Sequence, residues 1–175
     1  MSTQSPQETR KSLADSLKVG LGQLVATGNP NDVLVALGLG SCIGLVFADP
    51  SARVAGMAHV MLPESGIHTT GAIQEGKYAD TAVPALLAAV QRLGADRNRM
   101  IVKMAGGSQM FNNGSGGGVL NIGTRNAIAV REALAQAGLK LHAAQTGGSV
   151  GRTLDVVVRT GTVTVRAVGG AAQEI

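Results

Sequence analysis

Three short apolar runs, separated by clusters of turn-forming residues, dominate the chain between residues 33 and 62. They predict three successive buried strands, at Val33–Gly38, Ile43–Ala48 and Val54–Leu62. The last two runs are separated by Asp49-Pro50-Ser51-Ala52, which is a typical turn sequence. We therefore expect the second and third strands to pair as an antiparallel hairpin, so this part of the chain forms β-sheet.

The rest of the chain combines helical and strand-like patterns. Apolar residues at helical spacing predict a helix over Tyr78–Leu93, capped by Asp80 or Thr81, and another over Thr124–Ala137, closed by Gly138. Further strands are predicted at Leu17–Val25, Met100–Met104, Leu139–Ala144, Asp155–Arg159 and Val163–Val168. The mixture favours an α+β or layered α/β domain with a mixed β-sheet.

Length and composition predict one domain of ordinary size. The chain has 175 residues, of which 45% are hydrophobic but only 2% are aromatic, so the core must consist mainly of aliphatic side chains. Residues 13–170 are expected to form the single domain. The polar residues 1–12 are expected to be a flexible N-terminal tail, and residues 171–175 a C-terminal tail.

Charge and patterning argue against several classes of protein. The net charge is +4, but the basic residues are scattered and lack interleaved aromatic residues, so we do not expect nucleic-acid binding. One cysteine in the whole chain favours a reducing compartment. The polar N-terminus lacks a signal core, and no apolar run is long enough to span a membrane. We therefore expect a cytoplasmic protein without membrane insertion.

Cys42, the single cysteine, lies just before the first strand of the predicted hairpin, and His59 lies in its second strand. A two-residue turn at Pro50-Ser51 would place Cys42 directly opposite His59, with Cβ atoms about 4.5–5.5 Å apart. A turn one residue longer would place them diagonally. An imidazole close to a thiol can accept its proton and so activate it as a nucleophile. The plainer interpretation is a buried structural cysteine and a hydrogen-bonded histidine.

Glycine-rich stretches at residues 106–107, 114–118 and 147–151 do not have the spacing of a nucleotide-binding loop. They are better suited to loops that pack beside a cleft, and Arg152 next to the last one is expected to be a surface anchor for an acidic partner or a solvated charge. One cysteine and three widely separated histidines give no metal-ligand spacing, so neither a metal nor an organic cofactor is expected.

Six stretches of the chain resemble the chemoreceptor glutamine deamidase family, CheD, in the order that this family has them. The most specific are Leu37-Gly38-Leu39-Gly40-Ser41-Cys42 and Gly56-Met57-Ala58-His59-Val60-Met61-Leu62-Pro63. The others are Lys77-Tyr78-Ala79-Asp80, Lys103-Met104-Ala105-Gly106-Gly107-Ser108-Gln109-Met110, Asn121-Ile122-Gly123-Thr124-Arg125-Asn126 and Gly147-Gly148-Ser149-Val150-Gly151-Arg152. The resemblance covers about residues 17 to 168.

The resemblance implies a layered α/β sandwich fold with a mixed β-sheet, similar to a bacterial toxin deamidase. It also implies an activity that converts glutamines of methyl-accepting chemotaxis receptors to glutamate, with Cys42 and His59 as the catalytic residues. Candidates for the oxyanion site and the substrate loop are Gly40, Ser41, Gly107 and Ser108, together with the Cys42 N–H itself. A CheC-type phosphatase is the implied protein partner.

One position departs from the family pattern. Where the family usually has a threonine that is counted with the catalytic set, six residues before the cysteine, this chain has Ala36. Either a backbone carbonyl near Ala36 orients His59 and the enzyme is active, or the chain is a catalytically weakened regulatory module that binds a CheC-type phosphatase.

Overall fold

The computed structural model describes residues 15–110 and 121–175. The predicted N-terminal tail, residues 1–12, lies outside this range, as does the glycine-rich stretch 114–118. No helix in the described part of the chain has both the length and the hydropathy that a membrane-spanning helix needs.

The described residues contain two α-helices and ten strands. The helices are α1 (Ala79–Arg92) and α2 (Ile122–Gln136). The strands are β1 (Leu17–Lys18), β2 (Leu24–Thr27), β3 (Val33–Leu39), β4 (Ile43–Asp49), β5 (Val54–Val60), β6 (Ile101–Gly106), β7 (Ala143–Thr146), β8 (Arg152–Val157), β9 (Val163–Ala167) and β10 (Ala172–Glu174).

The strands form two five-stranded sheets. The first sheet has the order β1-β3-β8-β9-β10 and the second sheet has the order β2-β5-β4-β6-β7. Each sheet contains one parallel pair, β1 with β3 and β6 with β7, while the other pairs are antiparallel. Both sheets are therefore mixed, and the predicted α+β layered fold is confirmed.

The second sheet is the middle layer of three. One of its faces packs against both helices, and this helix–sheet core includes Ile43, Leu45, Phe47, Leu86 and Val130. Its other face packs against the first sheet, and this intersheet core includes Val19, Leu34, Ala36, Leu39, Val46, Met57, Ala105 and Leu154. Since β4 and β5 are buried on both faces, their sequences show continuous apolar runs rather than alternation.

The hairpin exists, but its predicted register is wrong. The connection between β4 and β5 is the four-residue segment 50–53, which leaves Ile43 opposite Val60 and Gly44 opposite His59. Arg53, at the end of this segment, has a left-handed backbone conformation with φ of 54°. The longer loop moves the partner of His59 two residues along β4. Cys42 lies just before the strand and is not directly opposite His59.

Several element boundaries also differ from the sequence-based expectation. Neither Asp80 nor Thr81 caps α1, which begins after Tyr78. The Asp80 carboxylate instead accepts hydrogen bonds from the backbone and hydroxyl of Ser65. Helix α2 begins earlier than expected, after Asn121, whose side chain accepts a hydrogen bond from the Thr124 N–H. Such caps depend on which donor the surrounding fold brings close.

The strand predictions near the C-terminus were shifted by a few residues. The strand expected at Leu139–Ala144 is observed as β7, which begins at Ala143. The strand expected at Asp155–Arg159 is observed as β8, which begins at Arg152. The segment 17–25 contains β1 and the start of β2, which belong to different sheets. Residues 171–175, expected as a tail, contain β10, which pairs with β9.

Candidate active site

Cys42 lies in the cysteine loop, residues 40–42, which connects a strand of the first sheet with a strand of the second. Its side chain is half-buried and packs against the intersheet core. The Cys42 carbonyl accepts a 2.9 Å hydrogen bond from the Gly107 N–H. Burial raises the pKa of the Cys42 thiol, because the apolar surroundings disfavour the thiolate. In the resting protein the sulfur therefore keeps its proton at neutral pH.

His59 lies on β5 and is only 2% exposed. Its Nδ1 is 3.1 Å from the carbonyl oxygen of Val19. Since a carbonyl can only accept, Nδ1 carries the proton and Nε2 has the free lone pair. Burial lowers the pKa of His59, and the Val19 carbonyl offsets only part of this effect. The imidazole is therefore neutral at neutral pH, and its Nε2 is a potential base.

The side chains of Cys42 and His59 both lie in the layer between the two sheets. A Cβ added to Gly44, the partner of His59, would meet side chains of Leu39 and Leu154, so this face of the hairpin points towards the first sheet. Val19, which contacts the imidazole, belongs to the same intersheet core that Cys42 packs against. The observed register of the hairpin differs from the predicted one by two residues. Since this number is even, the thiol and the imidazole still lie on the same side of the sheet.

The resting site contains two neutral groups that are not hydrogen-bonded to each other. The Nε2 atom of His59 is buried and has no hydrogen-bond partner in the described residues. Burial moves the two pKa values apart, because it raises that of the thiol and lowers that of the imidazole. Proton transfer from sulfur to nitrogen is therefore unfavourable until another group stabilises the charges that it creates.

Ala36 lies on β3, opposite Leu154, and its side chain is fully buried in the intersheet core. Its methyl group thus lies in the same layer as Cys42 and His59 and offers no hydrogen bond. The carbonyl that holds the imidazole is that of Val19, whose own N–H donates to the Val35 carbonyl, next to Ala36. The imidazole is thus held by a backbone carbonyl whose own residue is hydrogen-bonded to the strand that carries Ala36.

The glycine segment 106–108 packs directly against the cysteine loop. A Cβ at Gly106, which has φ of 120°, would overlap the Cys42 carbonyl oxygen, so only glycine fits there. The Gly107 N–H donates to Cys42 and the Ser108 N–H donates to Gly40 over 2.7 Å. These two candidate oxyanion donors are therefore occupied in holding the cysteine loop.

The other three oxyanion candidates, in the cysteine loop, differ in the contacts of their backbone groups. The Cys42 N–H donates to no group in the residues that the structure describes. The Ser41 carbonyl accepts a hydrogen bond from the side chain of Asn126. At Gly40 an added Cβ would approach the Met110 sulfur to 2.7 Å, so this glycine allows Met110 to cover the loop. Of the candidate N–H groups, those of Gly107 and Ser108 are occupied, whereas those of Gly40, Ser41 and Cys42 donate to no group in the described residues.

Arg152 is neither a surface anchor nor a solvated charge. It is 9% exposed, and its Nη1 donates to the Ser108 hydroxyl and the Gly147 carbonyl, both at 2.8 Å. Burial lowers the pKa of its guanidinium. The sequence expectation was wrong because two glycine-rich segments, 106–108 and 147–148, pack against this side chain. Arg152 joins the segment after β7 to the segment that holds Cys42.

Asn126 is a site residue that motif reasoning missed. It is fully buried on α2, and its Nδ2 donates to the carbonyls of Ser41 and Met61, each at 2.9 Å. The residue lies in one of the stretches that carry the family resemblance, but its partners are 85 and 65 positions away in sequence. No local pattern could have shown these contacts.

Comparison with known proteins identifies the family. The sequence profile of a family described as "CheD chemotactic sensory transduction" matches residues 61–167. A protein of Symbiobacterium thermophilum named "Probable chemoreceptor glutamine deamidase CheD" is 45% identical over 90% of this chain and 95% of its own length.

Two further relatives are named "Chemoreceptor glutamine deamidase CheD". The Thermotoga maritima protein is 44% identical over 89% of this chain and 94% of its own length. The Halalkalibacterium halodurans protein is 40% identical over 92% of this chain and 99% of its own length. Matches of this extent take in both Cys42 and His59. The chain therefore belongs to the CheD family.

Proposed function

We propose that this protein hydrolyses the side-chain amides of glutamines in methyl-accepting chemotaxis receptors to glutamate, through a thioester on Cys42. The observation that carries the proposal is the state of His59: its Nδ1 is bonded to a carbonyl and its Nε2 is unpartnered, in the same layer as the thiol. The names of the relatives supply the substrate class, since they are called chemoreceptor glutamine deamidases.

The first half of the reaction forms the thioester. His59 Nε2 accepts the proton of Cys42 as the sulfur attacks the carboxamide carbon of the glutamine. The Val19 carbonyl stabilises the imidazolium that forms, because it accepts a hydrogen bond from the Nδ1–H group. The imidazolium then gives its proton to the departing nitrogen, and ammonia leaves as the carbon–nitrogen bond breaks.

The second half releases glutamate. Water attacks the thioester carbonyl while His59 Nε2 accepts a proton from it. The carbon–sulfur bond then breaks, and the imidazolium returns this proton to the sulfur to restore the thiol. In both halves the carbonyl oxygen becomes negatively charged. The available N–H of Cys42 is the donor we assign to this oxyanion, because the N–H groups of Gly107 and Ser108 are bonded within the site.

Ala36 does not remove a required group in this proposal. A hydroxyl at position 36 could orient the imidazole, but the Val19 carbonyl already fixes the ring through Nδ1. This favours the active enzyme over the weakened regulatory module. A CheC-type phosphatase remains the partner we propose on the basis of the family resemblance, alongside the receptor substrate.

The direct test is to incubate the protein with a cytoplasmic receptor fragment and follow glutamine-to-glutamate conversion by mass spectrometry. We expect conversion by the wild type and its loss, by at least about a thousandfold, in Cys42→Ala and His59→Ala. His68→Ala is the matched control, since His68 hydrogen-bonds to Tyr78 and Gly71 outside the site, and it should retain activity.

Two outcomes would contradict the proposal. One is conversion by Cys42→Ala at the wild-type rate, which would rule out a thioester on this residue. The other is absence of conversion by the wild type together with tight binding of a CheC-type phosphatase, which would identify the regulatory module instead.

A further inference from the structure

Asn126 connects the two segments that carry Cys42 and His59. Its two Nδ2 protons are donated to carbonyls of different elements, that of Ser41 in the cysteine loop and that of Met61 just after β5. Ser41 immediately precedes Cys42, and Met61 lies two residues after His59. One side chain on α2 therefore fixes the position of the cysteine loop relative to the histidine strand.

The hydrogen bond to Ser41 also sets a direction. The Ser41 carbonyl and the Cys42 N–H belong to one planar peptide group, and the described residues contain no cis peptide bond. In a trans peptide the carbonyl and the N–H point in opposite directions. Because Asn126 holds the carbonyl towards α2, the Cys42 N–H points away from the helix. That N–H makes no hydrogen bond in the described part of the chain.

Stability alone does not account for an asparagine at this position. Its Oδ1 is buried and has no hydrogen-bond partner among the residues described. A buried unpaired acceptor is unfavourable, and an apolar side chain of similar size would avoid it. What the carboxamide provides, and an apolar side chain would not, is two donors with a fixed angle between them.

We propose that Asn126 is a positioning residue that aims the Cys42 N–H at the oxyanion formed when Cys42 attacks a carbonyl. The inference rests on the proposed function, since it assigns an oxyanion donor to the same site. It predicts that Asn126 matters for reactions of Cys42 that create an oxyanion and not for those that do not.

Two small reagents separate these reactions without a receptor. With p-nitrophenyl acetate, the thiolate attacks the ester carbonyl, a carbon–sulfur bond forms through an oxyanion, and p-nitrophenolate leaves. With iodoacetamide, the thiolate displaces iodide from a saturated carbon, so no oxyanion forms. Both require the thiolate, so the ratio of the two rate constants cancels any change in the pKa of the thiol. Since Cys42 is the single cysteine, intact-mass spectrometry can follow both products.

The expected result is that Asn126→Ala lowers the ratio of acylation to alkylation by about tenfold or more. Val130→Ala is the matched control, because Val130 lies one turn further along α2, is fully buried and packs in the helix–sheet core. It should leave the ratio unchanged even if it lowers the unfolding temperature. If Asn126→Ala does not fold, Asn126→Ser serves with the same expectation.

An unchanged ratio in the Asn126 variant, or an equal fall in Val130→Ala, would overturn the inference. The result is independent of receptor deamidation. If the wild type fails to deamidate a receptor fragment but Asn126→Ala still lowers the ratio, the proposed function fails and the positioning role stands.

Discussion

At the scale of single residues, the imidazole of His59 has one ring nitrogen bonded to a carbonyl and the other without a partner. A serine or threonine hydroxyl in the same place could donate as well as accept, and would then allow either tautomer. A backbone carbonyl allows only the tautomer with the proton on Nδ1. The Val19 carbonyl therefore fixes the basic nitrogen more strictly than a side-chain hydroxyl would.

Because the Val19 carbonyl already fixes the tautomer of His59, we expect that a hydroxyl restored at position 36 has little effect on activity. We expect Ala36→Thr and Ala36→Val to have kcat values for receptor deamidation within about threefold of each other, since the imidazole is already oriented. Valine is the matched control because it adds the same volume to this fully buried site without a hydroxyl. A tenfold advantage of threonine over valine would show that the Val19 carbonyl is an incomplete substitute.

The residues of the site differed in how well they could be predicted. Cys42 and His59 are conspicuous because thiol and imidazole are reactive groups within short, recognisable stretches. Asn126 acts through two backbone carbonyls far away in sequence, and a carbonyl has no sequence signature. The same holds for Val19, which contributes its main chain rather than its side chain. Arg152 acts through the hydroxyl of Ser108, 44 positions away, and through the nearby Gly147 carbonyl.

At the scale of elements, the loop between β4 and β5 determines which residues of the hairpin meet. Its segment 50–53 ends at Arg53, the one non-glycine residue with positive φ among the described residues. Arginine rarely adopts this conformation, so the sequence indicated a turn but not its length. The strands themselves were predictable, because their apolar runs depend on burial and not on register.

The backbone at Arg53 gives a prediction about stability. Arg53→Gly should raise the free energy of unfolding by about 0.5–1 kcal/mol, since glycine adopts positive φ without the steric cost that arginine bears. Ser51→Gly, in the same loop, is the control and should lower it by a similar amount, because it only increases the freedom of the unfolded chain. Urea denaturation of both variants measures the difference, and a loss of stability in Arg53→Gly would contradict the argument.

At the scale of the whole molecule, a buried carboxylate joins the hairpin to the segment before β6. Asp49 is fully buried, accepts hydrogen bonds from the Ser51 and Asp96 N–H groups, and pairs with Arg99 at 2.8 Å. Burial alone would raise the pKa of Asp49. The hydrogen bonds and the charge of Arg99 outweigh burial, so the pKa of this carboxyl lies below its ordinary value.

It follows that Asp49 makes stability depend on pH in the acidic range. With a lowered folded-state pKa, the carboxyl stabilises the fold above its unfolded value of about 3.9, and this contribution is lost as pH falls through the folded-state pKa. We expect Asp49→Asn to lose about 1–3 kcal/mol at pH 7 and to flatten the fall in stability below pH ~4.

Urea denaturation across this pH range tests the prediction for Asp49. Glu132→Gln is the matched control, because it removes an exposed carboxylate on α2. If the free energy of unfolding falls as steeply with pH in Asp49→Asn as in the wild type, groups other than Asp49 cause the acid sensitivity.

The number of sheets was the large-scale feature that the sequence did not reveal. Continuous apolar runs at β4 and β5 showed that both faces of these strands are covered, but not whether a helix or another sheet covers each face. Helices cover one face and the first sheet covers the other. The layered class could be predicted from composition and order of elements, whereas the division of ten strands between two sheets depends on pairings between distant segments.

Burial of β4 and β5 between two layers also limits local opening of the structure around the site. Amide protons on strands that are covered on both faces exchange with solvent mainly when the entire fold opens, whereas edge strands such as β10 open locally. His59 lies on one of these central strands and Cys42 adjoins the other. Local fraying of the sheet edges would therefore not change the relative position of the Cys42 and His59 side chains. Their arrangement should persist for as long as the molecule remains folded.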